Sequence, residues 1–143
     1  MTLRLALGDW GRLGADAFAV REEVFVQEQK IPLELEQDEM DARSLHAVAY
    51  DAHGRAIGTG RLLPDGHIGR MAVCRAERGQ GIGGALLEAL MEEARRRGDS
   101  AVLLNAQIQV EAFYRRYGFE RSGPEFSEAG IPHVPMRRPL PPA

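Results

Sequence analysis

Residues 69–84 read GRMAVCRAERGQGIGG, and the interpretation of the whole chain starts from this stretch. An apolar run ends at Arg75, four glycines follow within residues 79–84, and a long helical pattern begins at Ala85. Glycines let backbone N–H groups turn toward a ligand without a Cβ in the way, and a helix N-terminus adds partial positive charge there. The stretch therefore predicts a strand, a loop that binds a phosphate-bearing cofactor, and a helix.

Two familiar phosphate loops fit these glycines less well. A P-loop needs a Lys-Ser/Thr pair after its last glycine, but an alanine and a leucine follow Gly84. The dinucleotide pattern GxGxxG matches at Gly79, Gly81 and Gly84, yet it needs an acid at the end of the next strand. We therefore reject the P-loop, and because Asp99 comes before that strand, we treat the dinucleotide pattern as a weak match.

The loop resembles the acyl-CoA-binding motif of the GNAT superfamily of N-acetyltransferases, Arg/Gln-x-x-Gly-x-Gly/Ala, which residues 78–83 satisfy as RGQGIG. Residues 113–119, FYRRYGF, are similar to the superfamily's second signature. Residues 24–29 (VFVQEQ), His46 and residues 130–136 (GIPHVPM) resemble its ElaA-like branch. The resemblance covers nearly the whole chain. It implies an α/β (α+β) fold with a mixed, mostly antiparallel central sheet, a parallel splayed strand pair and flanking helices.

Composition limits the classes of function. A chain of 143 residues is expected to form one domain, so we expect a single N-acetyltransferase domain over residues 1–143. The net charge is −3 and no basic run exceeds residues 95–97, which argues against a nucleic-acid partner. No leader pattern or membrane-length apolar run is visible, so we expect a cytoplasmic protein without a membrane partner. The lone Cys74 excludes an intrachain disulfide framework and fits a reducing compartment.

The spacing of apolar residues predicts the other elements, and Gly and Pro mark their ends. The strand that ends in the glycine loop, the helix after it and the next strand should form a βαβ unit with a parallel pair. In chain order the predicted elements are a strand over residues 3–7, an amphipathic helix from Leu13 to Val24, a hairpin of residues 45–50 and 56–63, a strand over 67–74, a helix over 83–97, a strand over 101–106, a helix from about Gln107 to Tyr117, and strands over 120–122 and 133–138.

The segment after Pro32 is strongly acidic, with Arg43 as its basic residue. Its acids are Glu34, Glu36, Asp38, Glu39 and Asp41. Acid runs are most often solvated loops, and that is one interpretation. The other is an anionic rim that binds a cationic amine substrate.

The resemblance also implies which residues bind acetyl-CoA. Backbone N–H groups of the loop can hold the pyrophosphate of coenzyme A, and Arg78 can add a charge-assisted contact at the loop's mouth. The strand before the loop would orient the thioester, and its side chains should be core. Asn105 and Gln107 stand where the parallel strands must splay, so they could bond the pantetheine amides. The predicted cofactor-binding residues are Met71, Ala72, Val73, Arg78, Gly79, Gln80, Gly81, Ile82, Gly83, Gly84, Asn105 and Gln107.

The resemblance places the general acid on Tyr114. A phenol of pKa about 10 stays protonated at neutral pH and can donate to a departing thiolate. The alternative is that Tyr114 is a packed aromatic residue. The general base stays open among His46, His133, Glu28, Asp38 and Asp41.

Covalent catalysis by Cys74 is disfavoured, because a lone cysteine in an apolar strand is usually just buried. No cluster of His, Cys or carboxylate residues has metal-ligand spacing, so we predict no metal.

The sequence thus indicates an N-acetyltransferase that moves the acetyl group of acetyl-CoA to a primary amine of a small molecule or peptide by direct attack in a ternary complex. A non-catalytic acyl-CoA-binding regulatory domain is the alternative, and the presence of Tyr114 favours the enzyme. A nucleotide-binding oxidoreductase would need an N-terminal parallel βαβ unit that is missing here. The acceptor, the preferred acyl chain and a homodimer are left open.

Overall fold

The computed structural model describes residues 3–142 and contains two four-stranded sheets. In chain order the elements are strand β1 (Arg4–Gly8), helix α1 (Trp10–Arg21) with a π-helical extension (Glu22–Glu28), the helical turn α2 (Leu33–Glu36), a 3₁₀ turn (Glu39–Arg43), β2 (Leu45–Tyr50), β3 (Ala56–Leu62), β4 (Ile68–Val73), a 3₁₀ turn (Arg75–Glu77), α3 (Ile82–Arg96), β5 (Ala101–Gln107), a 3₁₀ turn (Ile108–Val110), α4 (Glu111–Arg116), β6 (Glu120–Arg121), β7 (Phe126–Glu128) and β8 (Ile131–Pro139).

The two sheets meet at one edge and then separate. The first has the order β1-β2-β3-β4, and the second has the order β5-β8-β6 with β7 also on β8; all of these ladders are antiparallel. A parallel bridge joins His67 to Leu103, where the Leu103 N–H donates to Gly66 O over 3.1 Å. Beyond this bridge the described chain shows no further pairing between β4 and β5. The predicted mixed, mostly antiparallel sheet with a splayed parallel pair is confirmed.

Helices cover both faces of the first sheet. The apolar stripe of α3, with Leu86, Leu87 and Leu90, packs in the main core, and α1 packs on the opposite face through Leu13 and Ala17. Because β3 lies between the two helices, all of its residues after Ala56 are buried.

Two predicted helix boundaries were wrong. The first helix begins at Trp10 rather than Leu13, since the Asp9 carboxylate caps it by accepting from the Arg12 N–H over 2.9 Å. The helix predicted from Gln107 begins only at Glu111, because the backbone of Gln107 still pairs with His133 in the second sheet. Strand β7 was not predicted. No helix within residues 3–142 is long and apolar enough to cross a bilayer.

Candidate active site

The splay between β4 and β5 opens a cleft of about 1180 Å³. The glycine loop and the first turn of α3 form one part of its wall, and β4 and the end of β5 form the middle. Helix α4, the π-helical extension, the α2 turn and the β7–β8 turn complete it. The cleft thus brings together most of the site residues that the sequence predicts.

The glycine loop presents backbone donors to this cleft. Gly79 and Gly81 have φ of +80° and +82°, and Gly81 precedes α3 without any side-chain cap. The Ala85 N–H donates to Gly81 O over 3.1 Å, so the N–H groups of residues 82–84 are the helix's unpaired first turn. A Cβ at Gly79 or Gly81 would meet no described atom within 4 Å, so there is room for a ligand. The pyrophosphate of coenzyme A fits such a site.

Gly84 has a different role from the other loop glycines. A Cβ on Gly84 would collide with the hydroxyl and ring of Tyr117. The residue is buried, and Tyr117 packs in turn against Phe113 with ring centroids 5.2 Å apart. The third glycine of the apparent dinucleotide pattern is therefore explained by packing between α3 and α4.

Strand β4 supplies an edge that faces the gap. Met71 and Val73 point toward the core under α3, whereas Ala72 packs on the opposite side with Val20 and Val24. Ala72 is buried and the other two are half-buried, so the prediction that all three are core side chains holds in part. The backbone of residues 71–73 lines the cleft.

On the facing strand, Asn105 is exposed in the cleft while Gln107 is already hydrogen-bonded. Gln107 Nε2 donates to Gln29 Oε1 over 2.9 Å, and its Oε1 accepts from Gln109 Nε2 over 2.6 Å. Gln107 therefore links the end of β5 to the π-helical extension, and Asn105 has the freer amide.

Tyr114 lies in the cleft wall and is 8% exposed. The rings of Phe113 and Phe119 meet it edge-on at 5.1 and 5.9 Å. Burial raises the pKa of its phenol to about 12, so the hydroxyl is protonated at neutral pH. It has no hydrogen-bond partner within residues 3–142, which leaves its proton available to a group in the cleft.

His133 lies in the same cleft, at the beginning of β8. Its Nδ1 is 2.7 Å from Ile131 O; because a carbonyl only accepts, Nδ1 carries the proton of the neutral ring. The remaining lone pair is on Nε2, which lies 3.6 Å from Glu128 Oε2, and Phe126 stacks on the ring at 5.8 Å. His133 is thus held in the tautomer that can accept a proton at Nε2.

A family model described as an acetyltransferase (GNAT) domain matches residues 13–140. The chain belongs to the GNAT acetyltransferase family. The Bacillus subtilis (strain 168) protein named uncharacterized N-acetyltransferase YjcF is 43% identical over 127 residues, which cover 86% of this chain and 90% of that protein.

Solved structures agree with this assignment. An acyl-CoA N-acyltransferase from Pseudomonas aeruginosa is 34% identical, with a TM-score of 0.84 over 96% of this chain and 99% of that one. Escherichia coli ElaA is 25% identical, with a TM-score of 0.85 and the same coverage. The predicted resemblance to the ElaA-like branch is confirmed, and this GNAT protein is an acetyltransferase that uses acetyl-CoA and an acceptor.

Among the base candidates of this GNAT acetyltransferase, the structure places His46 away from the cleft. It is 0% exposed on β2, its Nε2 lies 2.8 Å from Asp41 O, and the Trp10 ring covers it at 4.9 Å. Burial lowers its pKa. His46 is outside the residues that line the cleft, so it does not face a bound amine directly.

Glu28 lines the cleft, but Arg78 holds it in a bidentate ion pair at 2.7 and 2.8 Å, which makes it a weak base. The hydrogen bond from Arg78 is the main reason that the pKa of Glu28 is lowered. Arg78 Nε also donates to Val73 O over 2.9 Å. Arg78 lines the cleft, where its side chain fastens the loop to β4 and the π-helical extension, and its contact with the cofactor stays a prediction.

Of the five acids after Pro32, Glu34 and Glu39 are exposed to solvent, whereas the other three are bound by arginines. Glu36 and Asp41 are buried, and Arg21 binds both; its Nη1 lies 2.8 Å from Asp41 Oδ1. Arg61 donates to Asp41 over 2.8 Å and to both oxygens of Asp38 over 2.7 and 2.9 Å. Hydrogen bonding from Arg61 lowers the pKa of Asp38 to about 2, so Asp38 does not act as a base at neutral pH. The arginines outweigh burial and lower the pKa of Asp41 as well.

Cys74 is buried, and burial together with a hydrogen bond to Glu23 raises the pKa of its thiol to about 11. It is therefore a poor nucleophile. Within residues 3–142 no group of three or more His, Cys, Asp or Glu side chains is arranged to hold a metal ion. Sequence reasoning missed Arg70 and Glu128 in the cleft; the signal for Arg70 was a charged residue inside the otherwise apolar β4.

Proposed function

We propose that residues 1–143 act as one N-acetyltransferase domain that transfers the acetyl group of acetyl-CoA to a primary amine of a small molecule or peptide. Transfer is by direct attack in a ternary complex. One observation carries the proposal: a single cleft holds the donor-rich loop before α3, the protonated hydroxyl of Tyr114 and the lone pair of His133.

The loop and the two splayed strands bind the cofactor. Backbone N–H groups between Arg78 and Gly84 hold the pyrophosphate, where the dipole of the 15-residue α3 adds favourable charge. The backbone of residues 71–73 and the amide of Asn105 bond the pantetheine arm, while Gln107 sets the width of the gap. These assignments leave the thioester between β4 and β5.

The reaction needs a neutral amine and a proton for the departing thiolate. Nε2 of His133 takes a proton from the ammonium form of the acceptor, and the neutral amine nitrogen then attacks the acetyl carbonyl. When the C–S bond breaks, the Tyr114 hydroxyl donates its proton to the sulfur, and the extra proton on the new amide nitrogen returns the Tyr114 phenolate to its protonated form. Burial raises the pKa of Tyr114 to about 12, so the phenol keeps its proton until a thiolate forms beside it.

A non-catalytic acyl-CoA-binding regulatory domain is the competing function. Such a domain needs the glycine loop, but it needs neither a proton donor nor a base facing the same gap. Tyr114 and His133 line the cleft together, which favours the enzyme.

The test is thiol release from acetyl-CoA with a panel of primary amines. Tyr114→Phe should lower kcat by about 10²- to 10⁴-fold, the usual contribution of a positioned general acid, or about 3 to 5 kcal/mol of barrier. Affinity for coenzyme A should change only by the worth of one hydrogen bond, about 0.5 to 1.5 kcal/mol. Tyr50→Phe is the matched control, because the Tyr50 hydroxyl donates to Asp16 over 2.6 Å outside the cleft.

The outcomes separate the two functions. Coenzyme A binding without thiol release for any amine would support the regulatory domain. Turnover by Tyr114→Phe within a factor of two of the wild type would show that the proton comes from another group.

A further inference from the structure

Arg70 occupies an unusual place in the cleft. It lies on β4 directly before the backbone assigned to the pantetheine arm, and its φ of +49° is left-handed, which a non-glycine residue adopts at a cost. The register of β4 against β3 shifts at this point, between Thr59 and Arg61. The bulge turns the Arg70 side chain toward the α2 turn, where it is 25% exposed and lines the cleft.

Two of the three guanidinium nitrogens of Arg70 donate hydrogen bonds within the protein. Nε donates to Glu36 O over 3.0 Å, and Nη2 contacts Leu35 O at 3.4 Å and Asp38 Oδ2 at 3.3 Å. Nη1 has no partner in the part of the chain that the structure describes, and it is not enclosed. Arg70 thus offers free N–H donors to a group in the cleft.

Both carboxylate oxygens of Asp38, next to Arg70, already accept hydrogen bonds within the protein. Asp38 Oδ1 accepts from the Met40 N–H at 3.0 Å and from Arg61 Nη1 at 2.7 Å. Its Oδ2 accepts from Arg61 Nη2 at 2.9 Å and from Arg70. A cationic substrate would have to displace an arginine to bind here, whereas an anionic group can accept from Arg70 without displacing anything.

We propose that the acceptor amine also carries a carboxylate, and that Arg70 binds this carboxylate through Nη1. This inference rests on the proposed function, and it replaces the cationic acceptor that the acidic run suggested. An amino acid is the simplest member of the class. Its ammonium group is complemented by Glu128, whose carboxylate is half-exposed in the cleft 3.6 Å from His133 Nε2.

The experiment compares acceptors in pairs, each an amino acid and its carboxamide, in the thiol-release assay. The wild type should show a kcat/KM at least tenfold higher for the carboxylate form. Arg70→Gly removes the guanidinium and suits a φ of +49°, so the fold should be retained, which a thermal melt checks. In Arg70→Gly the KM for the amino acid should rise at least tenfold, with kcat/KM for the carboxamide within threefold of the wild type.

Two further variants test whether the Arg70 guanidinium itself recognises the acceptor carboxylate, rather than acting through the net charge of the protein or by supporting the α2 turn. Arg70→Lys keeps the charge but loses the planar fork, so its KM should lie between those of Arg70→Gly and the wild type. Arg43→Gln removes an exposed arginine outside the cleft and should leave every acceptor KM unchanged. The KM for acetyl-CoA should also stay constant in all three variants.

Three results would overturn the inference. Equal use of both acceptor forms by the wild type, or an equal loss for both in Arg70→Gly, would show that Arg70 only supports the α2 turn; the proposed function would then stand. A preference for diamines would point to a cationic acceptor. Thiol release with none of the amines would overturn the proposed function together with this inference.

Discussion

Removing Arg21 should destabilise the fold more than any surface change, because its charge is the partner of two buried acids. Arg21 is 1% exposed, and it binds Glu36 through Nε and Asp41 through Nη1 and Nη2, the latter two contacts at 2.8 and 3.1 Å. Arg21→Met keeps much of the volume but leaves Glu36 without a side-chain partner. Breaking a buried ion pair from one side costs about 3 to 5 kcal/mol. That is about a third to a half of the roughly 10 kcal/mol that holds a typical domain folded.

Urea unfolding followed by circular dichroism measures this loss. For a chain of this length each kcal/mol corresponds to about 2 to 4 °C, so the melting temperature should fall by roughly 6 to 20 °C. Arg43→Met is the control, since Arg43 is exposed on the same acidic segment and its replacement should stay within about 0.5 kcal/mol.

A double variant tests whether the unpaired charge of Glu36 causes the loss of stability in Arg21→Met. Adding Glu36→Leu to Arg21→Met should recover a large part of the stability, because buried ion pairs replaced on both sides by apolar residues are often neutral. The reasoning fails if Arg21→Met loses less than about 1 kcal/mol, or if the double variant is as unstable as the single one.

Two further predictions concern stability. The pKa of Asp38 is about 2 in the folded protein and about 3.9 in an unfolded chain. Its ion pair therefore stabilises the fold above about pH 4, and that contribution disappears as the pH falls toward 2. When the unfolding free energy is measured against pH in this range, its slope should be shallower in Asp38→Asn than in the wild type. Ala129 has a φ of +52° at the β7–β8 turn, so Ala129→Gly should stabilise the protein by roughly 0.5 to 1 kcal/mol in urea unfolding; a loss of stability would show that the turn is not strained.

The parts of the site that the sequence predicts well are those determined by local geometry. The glycines from Gly79 to Gly84 and the helix that follows are close in sequence, and their effect depends only on backbone freedom and the helix terminus. Tyr114 and His133 were found through the resemblance, and the structure places both in the cleft.

What the sequence could not decide depends on contacts between distant residues. His46 and His133 are the same chemical group, but β2 is a central strand whose His46 lies under Trp10, while His133 begins β8 beside the gap. Likewise, the helix predicted from Gln107 gave way to strand pairing with a residue 26 positions later. Local propensity cannot anticipate either outcome, because tertiary packing overrides it.

The acidic segment shows how the buried charges connect the core to the acceptor side of the cleft. Arg21 fixes Glu36 from helix α1, and the carbonyls of Leu35 and Glu36 in turn fix Arg70 on the β4 bulge. Arg78 fastens the glycine loop separately, through Glu28 and Val73. Two independent sets of contacts therefore hold the two halves of the cleft. If the proposed assignments hold, a substitution at Arg21 should change the acceptor KM through Arg70 and leave the acetyl-CoA KM, which depends on the glycine loop, nearly unchanged.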